Sequence, residues 1–465
     1  MAHAPGIEIR PGSARSIASR LFVTCFPLML ADAVRRAHLD CAGRFVLADD
    51  GGAALAPGLR DEDAGLVVST AWIDLSAGPV LVRSPHMRGR QFILDLIDPA
   101  GDVIASFGSR TGDDAGLCLA IVGAKWKGEL PDGIRAGRAS CASVWAVSRI
   151  HAHSTLDYPG TVALAQRQGV TRLQTGGHAV GAERPAWTPP WPPCLQQVED
   201  LSPSVFFQRL ERVLARAPSN FRQTHLPSIA SLRSELGGPP AARDWTPTFA
   251  EALACGFDDG LAAIRSAAET AIDDDGSIWR PVPGGARRAP EDTLARAAHA
   301  YATFGAPLPE ERLTLVCDCD DCGRPLLGAH SYRIHFESEG LPPTQDFWRL
   351  SATPPAARGL RQGLSDRGEL ALNEDGSLDL FIQREPPPIF RIRNWLPVPD
   401  GRWTLTMRLY GPTRAALART WRMPAPERLD RGRGADAGGR LRVVSPTSTG
   451  APVRSAWNRR AQLFR

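Results

Sequence analysis

Between Leu66 and His153 the apolar residues come in short runs: LVVSTAWIDL, PVLVRSP, QFILDLIDP, DVIASFGS, GLCLAIVG, GIRAGRA and SVWAVSRIHAH. Gly, Pro and Asp separate them. Runs of this length, punctuated by turn residues, predict an antiparallel β-sandwich. Residues 155–170 then turn helical. From Ser202 to about Ala306 the apolar spacing becomes that of helices. In SPSVFFQRLERVLARAP, Ser202 is placed to be an N-cap and Pro203 opens the first turn. FAEALACGFDDGLAAIRSAAETAI and DTLARAAHAYATFG predict further helices. At Leu308 the β pattern returns. YRIHF and LDLFIQ alternate with period two, and DGS at Asp375–Ser377 marks a hairpin turn.

This patterning divides the chain into a leader (1–20), a helix with a β-sandwich domain (21–173), a Pro-rich linker (174–200), a helical segment (201–306), a second β domain (307–424) and a tail (425–465). The fold class is mainly β with a helical insert. The 465 residues are enough for two or three domains, each with its own core.

Charge alters the picture at one end. Residues 425–465 hold nine Arg against Glu427, Asp430 and Asp436, a net of +6. The formal charge of the whole chain is +4, so the remaining residues sum to −2. A nearly neutral body has no nucleic-acid footprint, and the basic tail reads as solvated and disordered. Only Lys125 and Lys127 supply amines, both in GAKWKGEL, which reads as a surface turn. Nine Cys cannot all pair within the chain, which favours a reducing, cytoplasmic setting. A competing signal is the run Leu21–Leu30. Arg10, Arg15 and Arg20 precede it and Ala31-Asp32-Ala33 resembles a signal cleavage site, which leaves export open. No run approaches the roughly 18 apolar residues of a membrane span.

Two sets of motifs resemble known families. AWIDLSAGPVLV, SFGSRTG, GAKWKGELPDG and the Val144-Trp145 strand resemble domain-of-unknown-function family 1254. FGAPLPEE, GRPLLGAHSYRIHF, GLPPTQDFWRL, DGSLDLFIQ and NWLPVPDGRWTLTMRLYGP resemble its C-terminal companion, family 1214. The resemblance implies an N-terminal immunoglobulin-like sandwich, a helical middle and a C-terminal jelly-roll-like domain, with no settled biochemical function. The chain departs from the family pattern at DEDAGLVVST, at TPPAARGLRQGLSDRGEL, and at Ser148-Arg149-Ile150, where the pattern has Gly-Arg-Thr.

Candidate chemistry follows from residue types. His335 in YRIHF, with Tyr332, Trp348, Asn394 and Trp395, predicts a pocket for a small polar or carbohydrate-like ligand, bound or hydrolysed. Cys317, Cys319 and Cys322 in CDCDDCG offer three thiolates to a divalent metal. His151 and His153, at i and i+2 with Asp157 beyond, offer a second set. No G-x-S-x-G, Walker A or G-x-G-x-x-G unit occurs, so no nucleotide cofactor is expected. A metalloenzyme and a structural or homo-oligomeric interaction protein are the alternative readings.

Overall fold

The apolar N-terminal stretch is helix α1 (Pro11–Ala37), ten residues longer at its start than the pattern predicts. Ala14, Ile17 and Ala18 are buried, so the helix is embedded before Leu21. Small alanines between Arg15, Ser16 and Ser19 hid this face from a search for large apolar residues. Pro27 lies inside α1, and Thr24 Oγ1 donates back to Arg20 O at 2.7 Å. Among the described residues α1 alone has the length and hydropathy of a membrane span, yet most of it is buried in protein. The computed structural model describes residues 11–41, 43–48, 52–59, 65–132, 134–173, 189–190, 192–237, 245–270, 276–354, 363–429 and 442–443. Most of the predicted linker and tail lies outside them.

The described residues fall into two compact units, the first within 1–275 and 280–314, the second within 276–279, 315–357 and 361–465. In the first, two sheets are built from β1 (Val46–Leu47), β2 (Leu66–Asp74), β3 (Val80–Ser84), β4 (Phe92–Ile97), β5 (Val103–Gly108), β6 (Leu117–Val122), β7 (Arg135–Arg138), β8 (Ser143–His151) and β9 (Gly169–Arg172). They form one sheet in the order β1-β2-β8-β4-β5 and another in the order β7-β6-β3-β9. Val67, Ala71, Leu94 and Val144 of the first sheet share a core with Val80, Val82, Leu119 and Ile121 of the second. The opposite face of the first sheet is also covered. Leu66, Val68, Trp72, Trp145 and Val147 belong to the core of α1 and the other helices. A sheet buried on both faces explains why β2 and β8 read as almost unbroken apolar runs.

Short α2 (Gly52–Leu55) and α3 (Tyr158–Gln166) accompany the strands. The helical segment holds α4 (Cys194–Glu199), α5 (Pro203–Arg216), α6 (Ser219–Glu235), α7 (Pro247–Thr270) and α8 (Thr293–Thr303). α1 is its hub, packing on α7 through Phe22 and Phe257, whose rings lie 4.9 Å apart. It also meets Phe206 of α5. Gly256 and Gly260, one turn apart on α7, let the two backbones approach: a Cβ on Gly256 would stand 2.3 Å from Arg15 O. The helical segment thus shares one unit with the N-terminal sandwich.

Strands β10 (Arg280–Val282) and β11 (Arg312–Cys317) lead toward the second unit. It contains β12 (Ser331–Phe336), β13 (Thr344–Thr353), β14 (Gly363–Ser365), β15 (Ala371–Leu372), β16 (Leu378–Gln383), β17 (Trp395–Pro397), β18 (Thr404–Pro412) and β19 (Glu427–Leu429). β13 pairs with β18 and β14, and the second sheet runs β17-β16-β12-β19. Ile334, Phe336, Leu380, Ile382, Leu350, Met407 and Leu409 are buried, and the Phe336 and Trp348 rings, 6.4 Å apart, join the two sheets. β19 corrects the expectation that strand structure ends at Pro424. Three residues beyond it pair with β12, too few to leave a periodic signature. The protein is therefore mainly β, with helices between two strand-rich regions.

Candidate functional site

Alternation along β12 sends Tyr332, Ile334 and Phe336 inward and Arg333 and His335 outward. Antiparallel register sets His335 opposite Asp379 and Arg333 opposite Phe381 on β16. Parallel pairing sets Trp395 of β17 beside Phe381. One outer sheet face therefore carries a polar pair and an aromatic pair.

His335 Nδ1 lies 2.8 Å from Asp379 Oδ1. A carboxylate only accepts, so Nδ1 carries the proton and Nε2 is presented outward, 3.4 Å from Glu337 Oε1. Asn373 Nδ2 donates to Asp379 Oδ2 at 3.0 Å and to Ser377 Oγ at 2.8 Å. The Ser377 hydroxyl in turn donates to Asp375 at 2.6 Å and holds that carboxyl below its usual range. Arg333 pairs with Glu427 of β19 at 2.8 Å. The imidazole is oriented by Asp379, which is itself held from the far side. This is the geometry in which a histidine accepts or delivers a proton at a defined point.

Beside it lies an aromatic platform. The Arg391 guanidinium sits 4.6 Å from the Phe381 ring centre and 5.3 Å from that of Phe390. Trp395 Nε1 donates to Gln383 O at 2.8 Å, which fixes the indole on the edge of the sheet. Ile389 and Phe390 are exposed in the turn above.

The five residues expected to line one pocket are distributed differently. His335 and Trp395 share the outer face. Tyr332 faces the interior, 5.5 Å edge-on from Trp403, and its hydroxyl accepts from Leu327 N at 3.1 Å. Trp348 is buried against Phe336. Its amide donates to Asp366, a carboxyl that burial pushes up to about 6. Asn394 lies behind the face with its amide group in use: Oδ1 accepts from Ala371 N, and Nδ2 donates to Ala371 O and Asp379 O. It supports the strand that carries Asp379. Asn394→Ala is expected to cost about 2–3 kcal/mol in urea unfolding, because the buried Ala371 N and O and the half-buried Asp379 O lose partners.

The metal candidates are placed as follows. Cys317 is buried with its thiol on Cys319 O, Cys319 is half-buried and Cys322 exposed. Among the described residues Asp320, Asp321 and Cys322 bring ligand atoms within 4.8 Å of one another. Asp320 Oδ1, however, already accepts from Cys322 N and Arg324 N and shapes the turn. His151 ends β8, buried, with Nδ1 at 2.9 Å from Ala152 O. His153 lies past the strand end and is exposed, so i, i+2 spacing no longer places both on one face. Asp157, the third member, is engaged by Arg90.

Sequence reasoning missed Asn373, Asp379, Phe381, Arg391 and Glu427. Period-two alternation puts Asp379 and Phe381 on one face of β16. Only the pairing of β16 with β12 brings that face to His335.

Residues 62–172 match family DUF1254 and residues 311–414 match family DUF1214, each described as a protein of unknown function. The fold is similar to the crystal structure of the VPA0106 protein from Vibrio parahaemolyticus, with TM-score 0.60 and 20% identity over 90% of this chain and 100% of that one. An uncharacterized protein from Burkholderia cenocepacia aligns at TM-score 0.41 and 11% identity, over 90% and 94% of the two chains. No curated protein matches. The chain thus matches the DUF1254 model in its N-terminal part and the DUF1214 model in its C-terminal part, two families whose descriptions assign no activity.

Proposed function

We propose that the outer face of the β17-β16-β12-β19 sheet binds a small polar, carbohydrate-like ligand. The observation that carries this reading is the juxtaposition of the Trp395–Phe381 pair with the His335–Asp379 pair, two registers of one sheet. A sugar ring has apolar C–H faces and a rim of hydroxyls. Half-buried Trp395 offers the stacking surface, backed by buried Phe381 under Arg391, and His335 Nε2, Arg333 and Glu427 offer rim contacts. Binding is favoured over hydrolysis because Asp379, Asp375 and Glu427 are committed to Asn373, Ser377 and Arg333, and the further carboxylate beside His335, that of Glu337, is exposed to water. The compartment inferred is the cytoplasm. α1 forms the centre of the helical core, and cleavage near Ala33 would remove that centre.

Calorimetry against a panel of mono- and oligosaccharides tests the reading. A ligand that binds the native protein should bind Trp395→Ala or His335→Ala about tenfold more weakly, or about 1.4 kcal/mol. Equal affinity in both variants, or no binding across the panel, rejects it.

A further inference from the structure

The turn joining β4 to β5, residues 98–102, is tied to the helical segment by one carboxylate. Asp102 Oδ1 accepts from Ala289 N at 2.8 Å and Arg296 Nη1 at 3.3 Å, and its Oδ2 accepts from Asn220 Nδ2 of α6 at 3.4 Å. Arg296 of α8 also donates to Ala289 O and Pro290 O. Val103 N adds a backbone bond to Ala286 O. A second carboxyl, Asp98, is buried in the same turn. Its Oδ1 accepts from Ala100 N at 2.8 Å and Asp102 N at 3.1 Å. Its Oδ2 is buried with no hydrogen-bond partner among the described residues.

We propose that this turn is a proton-operated latch: protonated Asp98 lets Asp102 hold α6 and the start of α8, and ionised Asp98 loosens that hold. The charged and titratable groups facing Asp98 are Asp102 in the turn, Arg296 on α8 and the Cys141 thiol before β8; His299 of α8 lies beside Asp102 and Arg296, and His225 of α6 lies near Arg296 and Glu291. Burial pushes His225 and His299 down, which favours their neutral forms. Ionised Asp98 therefore places a second buried carboxylate beside Asp102, to which the cation Arg296 is bonded. In a low-dielectric site such a charge is relieved by admitting water to Oδ2, and that means opening the turn. Burial first, and then the Asp102 charge, push the Asp98 carboxyl up to about 7. The latch accordingly works near neutral pH.

Hydrogen exchange of the full chain, corrected for intrinsic rates, provides the test. Protection of residues 286–300 and of the first turn of α6 should fall about tenfold between about pH 6 and about pH 8. In Asp98→Asn the fall should vanish. Unchanged protection in the native protein, or the same fall in Asp98→Asn, overturns the latch. Carbon-13 NMR of aspartate-labelled native protein is independent of that variant. A buried carboxyl titrating near neutrality, above Asp95 and Asp366, which burial pushes to about 6, supports the proposal, and its absence overturns it.

Discussion

Gly256→Val is expected to unseat α1 and leave the helical segment without a cooperative unfolding transition. The added Cβ would stand 2.3 Å from Arg15 O and 2.8 Å from Ala18 Cβ. The first contact is with backbone, so no rotamer change relieves it. α1 must move away from α7 as a body. That movement also parts Phe22 from Phe257 and opens Gly260, whose own Cβ site lies 3.1 Å from Ser19 O. Overpacking of this kind costs about 3 kcal/mol or more where backbone shifts are forced. Against a typical domain stability of about 5–15 kcal/mol, the loss is a large fraction. Thermal and urea unfolding followed by circular dichroism measure it. Gly12→Ala is the control: its Cβ would meet nothing within 4 Å, and alanine favours the helix. A Gly256→Val protein with the native urea midpoint would mean that α1 does not rest on α7.

Arg149→Met carries the second large effect. Arg149 lies on the helix-facing side of β8, fully buried, with Nη1 3.3 Å from Asp95 Oδ2 and Nη2 donating to Gly305 O. Methionine keeps most of the volume and removes the charge. The partner left behind is a buried carboxyl. Breaking one side of a buried ion pair costs about 3–5 kcal/mol. The cost depends on pH in a defined direction. Burial pushes the Asp95 carboxyl up to about 6, and Arg149 is the largest influence drawing it down. A carboxyl raised in the folded state stabilises the fold fully below the unfolded value, about pH 4, and that stability is lost as pH rises through the folded value. Without Arg149 the folded value climbs further, so the loss continues to higher pH. The deficit of Arg149→Met should therefore be larger at about pH 8 than at about pH 5, and Asp95→Asn in the same chain should recover part of it. Equal deficits at both pH values would show that the pair does not hold opposite charges.

These two residues also mark how far the sequence could be read. The strand series, the DGS turn and the start of α5 at Pro203 follow from local periodicity and turn chemistry. The motif resemblance identified both families, because motifs are local as well. Arg149 stood in view as the middle of Ser148-Arg149-Ile150. Nothing nearby announced Asp95, which is 54 positions away and reaches Arg149 only because β4 and β8 are neighbours. Tyr332 and His335 could have been separated from sequence alone. An odd spacing along one strand sends the two side chains to opposite faces, and grouping them in one pocket overlooked this.

For this protein, the amino-acid sequence alone determined where most of the strands and helices fall and which family models the two β regions match. Each of these depends on the order of side chains along a few consecutive residues. Tertiary structure decided that α1 is the hub of the helices, that Asp379 and Asn373 stand behind His335, and that Trp395 lies beside Phe381. Those contacts join residues far apart in the chain, and strand register and helix approach, which no local pattern encodes, bring them within hydrogen-bonding distance.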